Sequence, residues 1–409
     1  VSNSSRTSQQ PLISVAEHRA TVAGLLGRTP AVRLPLADCL GLALAEDLTA
    51  PIPLPSFDNS AMDGYAVRSV DVAGASQDRP VELPVAEDVP AGRTDLVPLQ
   101  PGTAHRIMTG APVPPGADAV VPVEHTDAGT ERVRFLSAAA PGRNVRKAGE
   151  DVTEGATVLA AGTELGPAQL GLAAAVGRAE LAVHRRPRVL VLSTGSELVE
   201  PGARLQPGQI YESNGIMLAA AVREAGGEAE LLRFVPDDVA EFRAALSPRL
   251  STVDLVLTSG GVSAGAYEVV KDALAEHGVR FTKVAVQPGM PQGAGRYLGV
   301  PVVTLPGNPV SSHVSFEVFV RPALRAAAGH AQPHRPRLSA ELAEAVRSPR
   351  GRRQYLRGDH DPATGRVRPV GGPGSHLLGS LAVANCLIEI PEQVTELPQG
   401  STVGVVPLR

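Results

Sequence analysis

From Arg188 to Ala327 the chain alternates short apolar runs with amphipathic ones. No other feature constrains its fold as strongly. Val189–Ser193 reads as a buried strand, Asn214–Glu224 as an amphipathic helix, Ala229–Phe234 as a strand and Val239–Leu246 as a helix. Leu255–Thr258 is a strand, Val269–His277 a helix, Phe281–Val286 and Val302–Leu305 strands, and Val310–Ala327 a long helix. Strand–helix alternation of this kind gives a mostly parallel sheet with helices on both faces. Ligands of such sheets bind at the carboxyl ends of the strands.

The flanking segments differ. Residues 11–27 read as a helix that Ser14 and Glu17 open with a capping box and Gly27 and Pro30 stop. An apolar stretch, Leu34 to Leu44, leads to a stiff connection with prolines at 51, 53 and 55. Between 54 and 140 lie the runs Gly64–Val67, Val81–Val85, Thr103–Met108, Ala119–Val123 and Arg132–Leu136, a spacing that predicts a small all-β unit. Residues 141–183 add a turn-rich stretch and a helix at Pro167–Val176. His330 to Pro336 reads as a linker. Beyond it, Gln354–Arg357, Val367–Val370, Ala384–Ile390 and Val403–Val406, with a turn at Asp361–Gly365, predict a separate β-barrel or sandwich.

Composition excludes several functions. Thirty-eight basic against 42 acidic residues leave a net charge of −4, which rules out nucleic-acid binding by bulk basicity. Aromatics at 3% and no Trp argue against base-stacking platforms. No run approaches the ~18 apolar residues of a membrane helix. The polar start Val1–Ser5 is read as a short tail rather than a targeting peptide. Two cysteines, Cys39 and Cys386, exclude a disulfide scaffold and a four-Cys zinc site, and a reducing cytoplasm is expected. Lysine is confined to Lys147, Lys271 and Lys283, which draws attention to each, because a guanidinium does not replace a compact ammonium at a tight anion site.

Three of the strand ends carry small polar turns. These are Ser193-Thr194-Gly195-Ser196-Glu197, Ser259-Gly260-Gly261-Val262-Ser263-Ala264-Gly265, and Pro306-Gly307-Asn308-Pro309-Val310-Ser311-Ser312. Glycines let backbone N–H groups face a ligand, so three such turns on one sheet point to an oxyanion site. A single turn of this kind is ordinary strand-to-helix punctuation. Glu197, Asp237, Asp238, Glu268 and Asp272 lie close by in sequence. Mg²⁺ typically takes one or two carboxylates plus substrate phosphates, although Asp237-Asp238 at a helix start equally fits capping. Phe57–Ala66, Thr109–Pro114 and Gly149–Asp151 are polar turns whose composition does not separate structure from site. His330 and His334 have Pro333 between them, which argues against a helical metal pair. Neither G-x-S-x-G nor a Walker loop is present.

Phe57–Val67, Arg106–Val121, Gly149–Val152, Leu192–Leu198, Gly208–Met217, Thr258–Gly265 and Leu305–Phe316 together resemble the molybdopterin molybdenumtransferase family, which includes the gephyrin E domain. The resemblance spans residues 11–409 and keeps the motif order. It implies an elongated homodimer of four parts: a discontinuous domain (11–53 and 141–183), an inserted β domain (54–140), a molybdopterin-binding three-layer α/β domain (184–330) and a C-terminal β-barrel-like domain (335–409). It implies an active site between the α/β part of one subunit and the inserted β part of the other. The implied reaction inserts molybdenum from molybdate into adenylylated molybdopterin with Mg²⁺ and releases AMP. By that resemblance Asp58, Thr109, Glu197, Asp238, Glu268 and Lys283 are catalytic. Glu197, Asp237, Asp238 and Glu268 are the metal carboxylates. Ser193, Thr194, Gly195, Ser259, Gly260, Gly261, Val262, Ser263, Lys271, Pro306, Gly307, Asn308, Pro309 and Ser311 bind the pterin substrate. Molybdopterin adenylyltransferase and acceptor molybdoenzymes are the implied protein partners, with neither nucleic acid nor membrane insertion. The sequence departs from many members at Ala266 and Glu268, where they carry Asp, and at Gln287-Pro288-Gly289-Met290-Pro291, where they read K-P-G-K-P. Two alternatives use the same fold: a gephyrin-like scaffold that binds a partner's peptide in cell division or receptor anchoring, and a related adenylyltransferase or nucleotide amidase.

Overall fold

A computed structural model describes residues 12–235, 238–260 and 269–408. Its centre is a six-stranded sheet in the order Glu228–Val235, Arg188–Thr194, Leu255–Ser259, Val300–Leu305, Pro291–Tyr297, Val279–Lys283. The first four strands run parallel; Pro291–Tyr297 is antiparallel to both its neighbours, so Val279–Lys283 runs in the direction of the first four. The parallel strands are buried on both faces, which is why they read as unbroken apolar runs. Alternate residues serve opposite layers. Val189, Val191, Leu255 and Leu257 pack with the helix Asn214–Glu224 and the segment Pro309–Ala327. Leu190, Leu192 and Val256 pack with the helices Val239–Leu246 and Val269–Leu274. The helix Val15–Leu25 opens with the expected Ser14–Glu17 capping box and buries Val15 and Val22 in the first of these layers.

Two expected elements are broken. The helix predicted over Val310–Ala327 is α-helical over Pro309–Ser315 and Arg321–Ala327, with a π turn at Phe316–Val320 between them. The strand predicted over Phe281–Val286 stops at Lys283, and the chain re-enters a different sheet at Val286–Gln287.

All five runs expected between 54 and 140 form one sheet: Ala119–Pro122, Gly64–Val67, Ala104–Ile107, Val81–Val89, Arg132–Phe135. Its cores gather Tyr65, Val121 and Phe135 on one side and Ala66, Ile107 and Val120 on the other. The segments before and after this unit run side by side. Ala31–Pro35 pairs with Glu180–His184, Leu48–Thr49 with Thr157–Leu159, and Asn59–Ser60 with Val145–Arg146, all antiparallel.

The C-terminal strands close a five-stranded barrel: Arg353–Asp361, Arg366–Pro369, Leu338–Leu342, Thr402–Pro407, Cys386–Ile390 and back to Arg353–Asp361. Val286–Gln287 pairs in parallel with Arg353–Gln354, tying barrel to α/β layer. The segment read as a linker is anchored too. His330 is buried, and Arg335 bonds Glu317 and Glu224. Among the described residues no helix is long and apolar enough to cross a membrane.

Candidate active site

A cavity of about 710 Å³ lies at the carboxyl ends of the parallel strands. The three polar turns meet there. Thr194 and Glu197 come from the first turn, Ser259 and Gly260 from the second, and Pro306, Gly307, Asn308, Pro309 and Ser311 from the third. Gly260 has φ +92°, and a Cβ there would stand 3.0 Å from the Thr194 carbonyl oxygen. Glycine is therefore required where these two turns touch. Gly307 also approaches closely, with its own Cβ position 3.5 Å from the Gly260 Cα.

Behind the turns lies a buried polar chain. Ser193, 4% exposed, donates its hydroxyl to Glu212 Oε1 at 2.8 Å and stands 3.5 Å from Ser259 Oγ. The Gly215 amide donates to the same Glu212 oxygen at 2.6 Å. Asn214 Nδ2 donates to the Gly307 carbonyl at 2.6 Å, locking the first helical layer to the third turn.

The barrel supplies the far wall. Asn308 Nδ2 donates to Ser375 Oγ at 2.8 Å, and the Val310 amide donates to the Ser375 carbonyl at 3.0 Å. His376 and Leu378 thereby line the cavity. Arg357, buried, holds the preceding loop by donating to the carbonyls of Val370, Gly372 and Gly374. Among the described lining residues none is Lys or Arg. The polar side chains that line it are carboxylates, hydroxyls, side-chain amides and an imidazole.

The other expected residues fall in several places. Gly195 stands beside the Glu197 carboxylate, where a Cβ would be 2.6 Å from Oε2. Asp238 is the N-cap of Val239–Leu246, its Oδ1 accepting the Glu241 amide at 2.9 Å. Lys271 is half-buried on Val269–Leu274. Lys283 is exposed, and its residue pairs across the sheet with Pro291, which lines the cavity. Asp237, Gly261, Val262, Ser263, Ala266 and Glu268 lie outside the described residues.

Asp58 and Thr109 belong to the inserted β unit and do not line the cavity of their own chain. Both are fixed in place. Asp58 Oδ2 accepts Lys147 Nζ at 2.7 Å, and Oδ1 accepts the Ala148 amide at 2.9 Å. The Lys147 hydrogen bond, then the Ala148 amide, hold the Asp58 carboxyl below its ordinary pKa. Asp63 Oδ1 accepts both the Thr109 amide at 2.7 Å and its hydroxyl at 2.8 Å. These bonds hold Asp63 below its ordinary value too, the amide contributing most. Phe57 and Met62 are exposed beside this pair. Gln287 Oε1 accepts Arg352 Nη1 at 3.2 Å, which brings a guanidinium to that position.

Sequence reasoning missed Glu212, Asn214, Asp63 and His376. The polar run Glu212-Ser213-Asn214 before a helix was the available signal for the first two. His376 carries no local signal, since the barrel brings it in from more than sixty residues away in sequence.

Comparison with known proteins accounts for almost the whole chain. Residues 13–177 match the MoeA N-terminal region (domain I and II), 190–326 the probable molybdopterin binding domain, and 339–408 the MoeA C-terminal region (domain IV). Molybdopterin molybdenumtransferase 2 of Mycobacterium tuberculosis is 57% identical over 399 residues, covering 96% of this chain and 98% of that protein. Molybdopterin molybdenumtransferase of Haemophilus influenzae is 38% identical, covering 91% and 93%. The crystal structure of the molybdopterin biosynthesis moeA protein from Pyrococcus horikoshii OT3 superposes with a TM-score of 0.84 at 30% identity, covering 97% of this chain and all of that one.

Proposed function

This chain belongs to the molybdopterin molybdenumtransferase family, and from that premise we propose that it inserts molybdenum into adenylylated molybdopterin and releases AMP. The observation that carries the proposal is the convergence of three glycine-bearing turns and a barrel loop on one cavity lined by hydroxyl-bearing and glycine residues. Such a wall suits two oxyanions, the pterin phosphate and molybdate.

Mg²⁺ is part of the proposal. Among the described residues no three His, Cys, Asp or Glu form a ready-made metal cage. The cavity does offer the Glu197 carboxylate and the hydroxyls of Thr194, Ser259 and Ser311. An oxygen-only set with few carboxylates fits Mg²⁺, which completes its shell with water and substrate phosphate. Glu197 would hold the ion, which when bound would neutralise charge on the departing phosphate. The turns around Gly260 and Gly307 hold the substrate phosphate. The Asn308–Ser375 bond keeps the barrel wall in place and limits water entry.

Asp58 and Thr109 reach this chemistry in a homodimer, from the inserted β unit of a second copy. Three observations support that placement. Both residues are fixed in position yet do not line their own chain's cavity. Phe57 and Met62 are exposed beside them. Ile210 and Tyr211, exposed at the cavity rim, offer an apolar counterpart. We place the reaction in the cytoplasm, between molybdopterin adenylyltransferase and the acceptor molybdoenzymes.

Reconstitution tests the proposal. Purified protein, adenylylated molybdopterin, Mg²⁺ and molybdate are mixed, AMP is quantified, and a molybdenum-free acceptor enzyme is added. AMP release with acceptor activation is expected. Pterin binding without either would refute the transferase reading and favour a scaffold.

A further inference from the structure

Glu212 is a carboxylate inside the cavity wall, 7% exposed, and the proposed chemistry gives it no role. A buried carboxylate is costly unless its oxygens are satisfied. Both of its hydrogen bonds, from the Ser193 hydroxyl at 2.8 Å and the Gly215 amide at 2.6 Å, fall on Oε1. Among the described residues no donor occupies Oε2. The carboxylate is thus clamped through Oε1 in the wall of the cavity.

The clamp is rigid. A Cβ on Gly215 would come within 3.1 Å of both Glu212 Oε2 and Ser193 Oγ and within 2.7 Å of Leu231 Cδ1, so glycine is needed to bring the helix start this close. Next along the chain, Asn214 donates Nδ2 to the Gly307 carbonyl, which leaves its buried Oδ1 without a partner in the same wall. Apolar side chains line the cavity too: Leu198, Ile210 and Tyr211, with Leu378 from the barrel. Tyr211 is held there by its hydroxyl, which donates to the Ala203 carbonyl at 2.9 Å.

We infer that Glu212 recognises the 2-amino-4-oxopyrimidine edge of the pterin ring, with the ring face against the Tyr211 side of the cavity. That edge presents adjacent N–H donors from the exocyclic amine and the ring nitrogen, which suit a carboxylate acceptor. A charged acceptor also discriminates more strongly than a neutral one. The inference rests on the transferase reading for the identity of the ligand. It adds an orientation to it: pterin edge at Glu212, phosphate at the turns around Gly260 and Gly307.

The test uses two fluorescent probes that differ at one position, 6-hydroxymethylpterin and 6-hydroxymethyllumazine, the second carrying oxygen in place of the 2-amino group. Both are titrated into the full-length protein and into Glu212→Gln, with a thermal melt of each. The wild type is expected to bind the pterin at least about tenfold more tightly, the scale of a lost hydrogen bond to a charged group. Glu212→Gln is expected to bring the two affinities within about threefold. Equal binding of the two probes by the wild type, binding of neither, or a preference retained in Glu212→Gln would overturn the inference. The wild-type comparison stands alone if the variant does not fold. Pterin preference without AMP release in reconstitution would defeat the transferase reading and leave this inference intact. AMP release without pterin preference would do the reverse.

Discussion

Asp58→Asn keeps the side-chain volume and removes one charge. The structural cost is small. The Lys147 and Asp58 side chains are 62% and 40% exposed, so water screens the pair. Exposed ion pairs are worth ~0.2–1 kcal/mol. Asparagine Oδ1 can still accept the Ala148 amide that Asp58 Oδ1 now accepts at 2.9 Å. The expected loss is therefore under about 1 kcal/mol, a fall of roughly 2–4 °C in Tm. The functional cost is large, because in the proposed dimer Asp58 acts on the reacting groups. The Lys147 hydrogen bond holds the Asp58 carboxyl below its ordinary pKa, so it is charged at neutral pH. Loss of a carboxylate in that role costs about 10²–10⁴-fold in rate. The assay is AMP release in single-turnover reconstitution, run beside a thermal melt. Activity within about threefold of wild type would refute this role for Asp58. So would a parallel collapse of melting temperature and activity, which would make Asp58 a structural residue.

Three further outcomes are expected. Asp254 binds Arg185 through both oxygens at 2.7 and 2.8 Å and accepts the Arg188 amide at 2.7 Å; burial raises its pKa, but these bonds outweigh burial and leave it lowered. Asp254→Asn should cost about 1.5–3 kcal/mol in denaturant unfolding, a stabilisation present above the ordinary carboxylate pKa of about 3.9 and lost as pH falls through the lowered folded value, so a difference that persists at the acid end would contradict it. Arg357→Met should loosen the loop that presents Ser375 and His376, seen as faster amide exchange over 371–376 with the barrel strands still protected, by about 2 kcal/mol of local opening; unchanged exchange would show the loop is held otherwise. Met290→Lys should lower the molybdate concentration for half-maximal activity about tenfold, whereas no change would mean that Arg352 beside Gln287 already completes the charge.

Much of this architecture was legible from local rules. The Ser14–Glu17 capping box, the helices Asn214–Glu224 and Val239–Leu246 and the five short strands between 54 and 140 depend on neighbours in sequence or on simple burial. What escaped depends on distant contacts. Leu338–Leu342 has two exposed residues at its start, and its barrel register comes from Thr402–Pro407. The break after Lys283 arises because Val286 finds its partner at Arg353. The site divides the same way. The glycine turns at strand ends are local signals, and most of those described line the cavity. Glu212 reads as one more surface acid until the fold sets it against Ser193, and His376 reaches the wall only through the bond between Asn308 and Ser375.

A transferase site completed by two copies of the chain is tested most directly by mixing two inactive variants. Asp58→Asn and Glu197→Gln are co-expressed with different tags, and the doubly tagged dimer is isolated and assayed for AMP release. Each variant alone should be inactive. The mixed dimer holds one site with both residues intact and one with neither, so it should recover about half of wild-type activity by the symmetry of a two-fold dimer. A mixed dimer as inactive as its parents would contradict a shared site and place both residues in service of one chain.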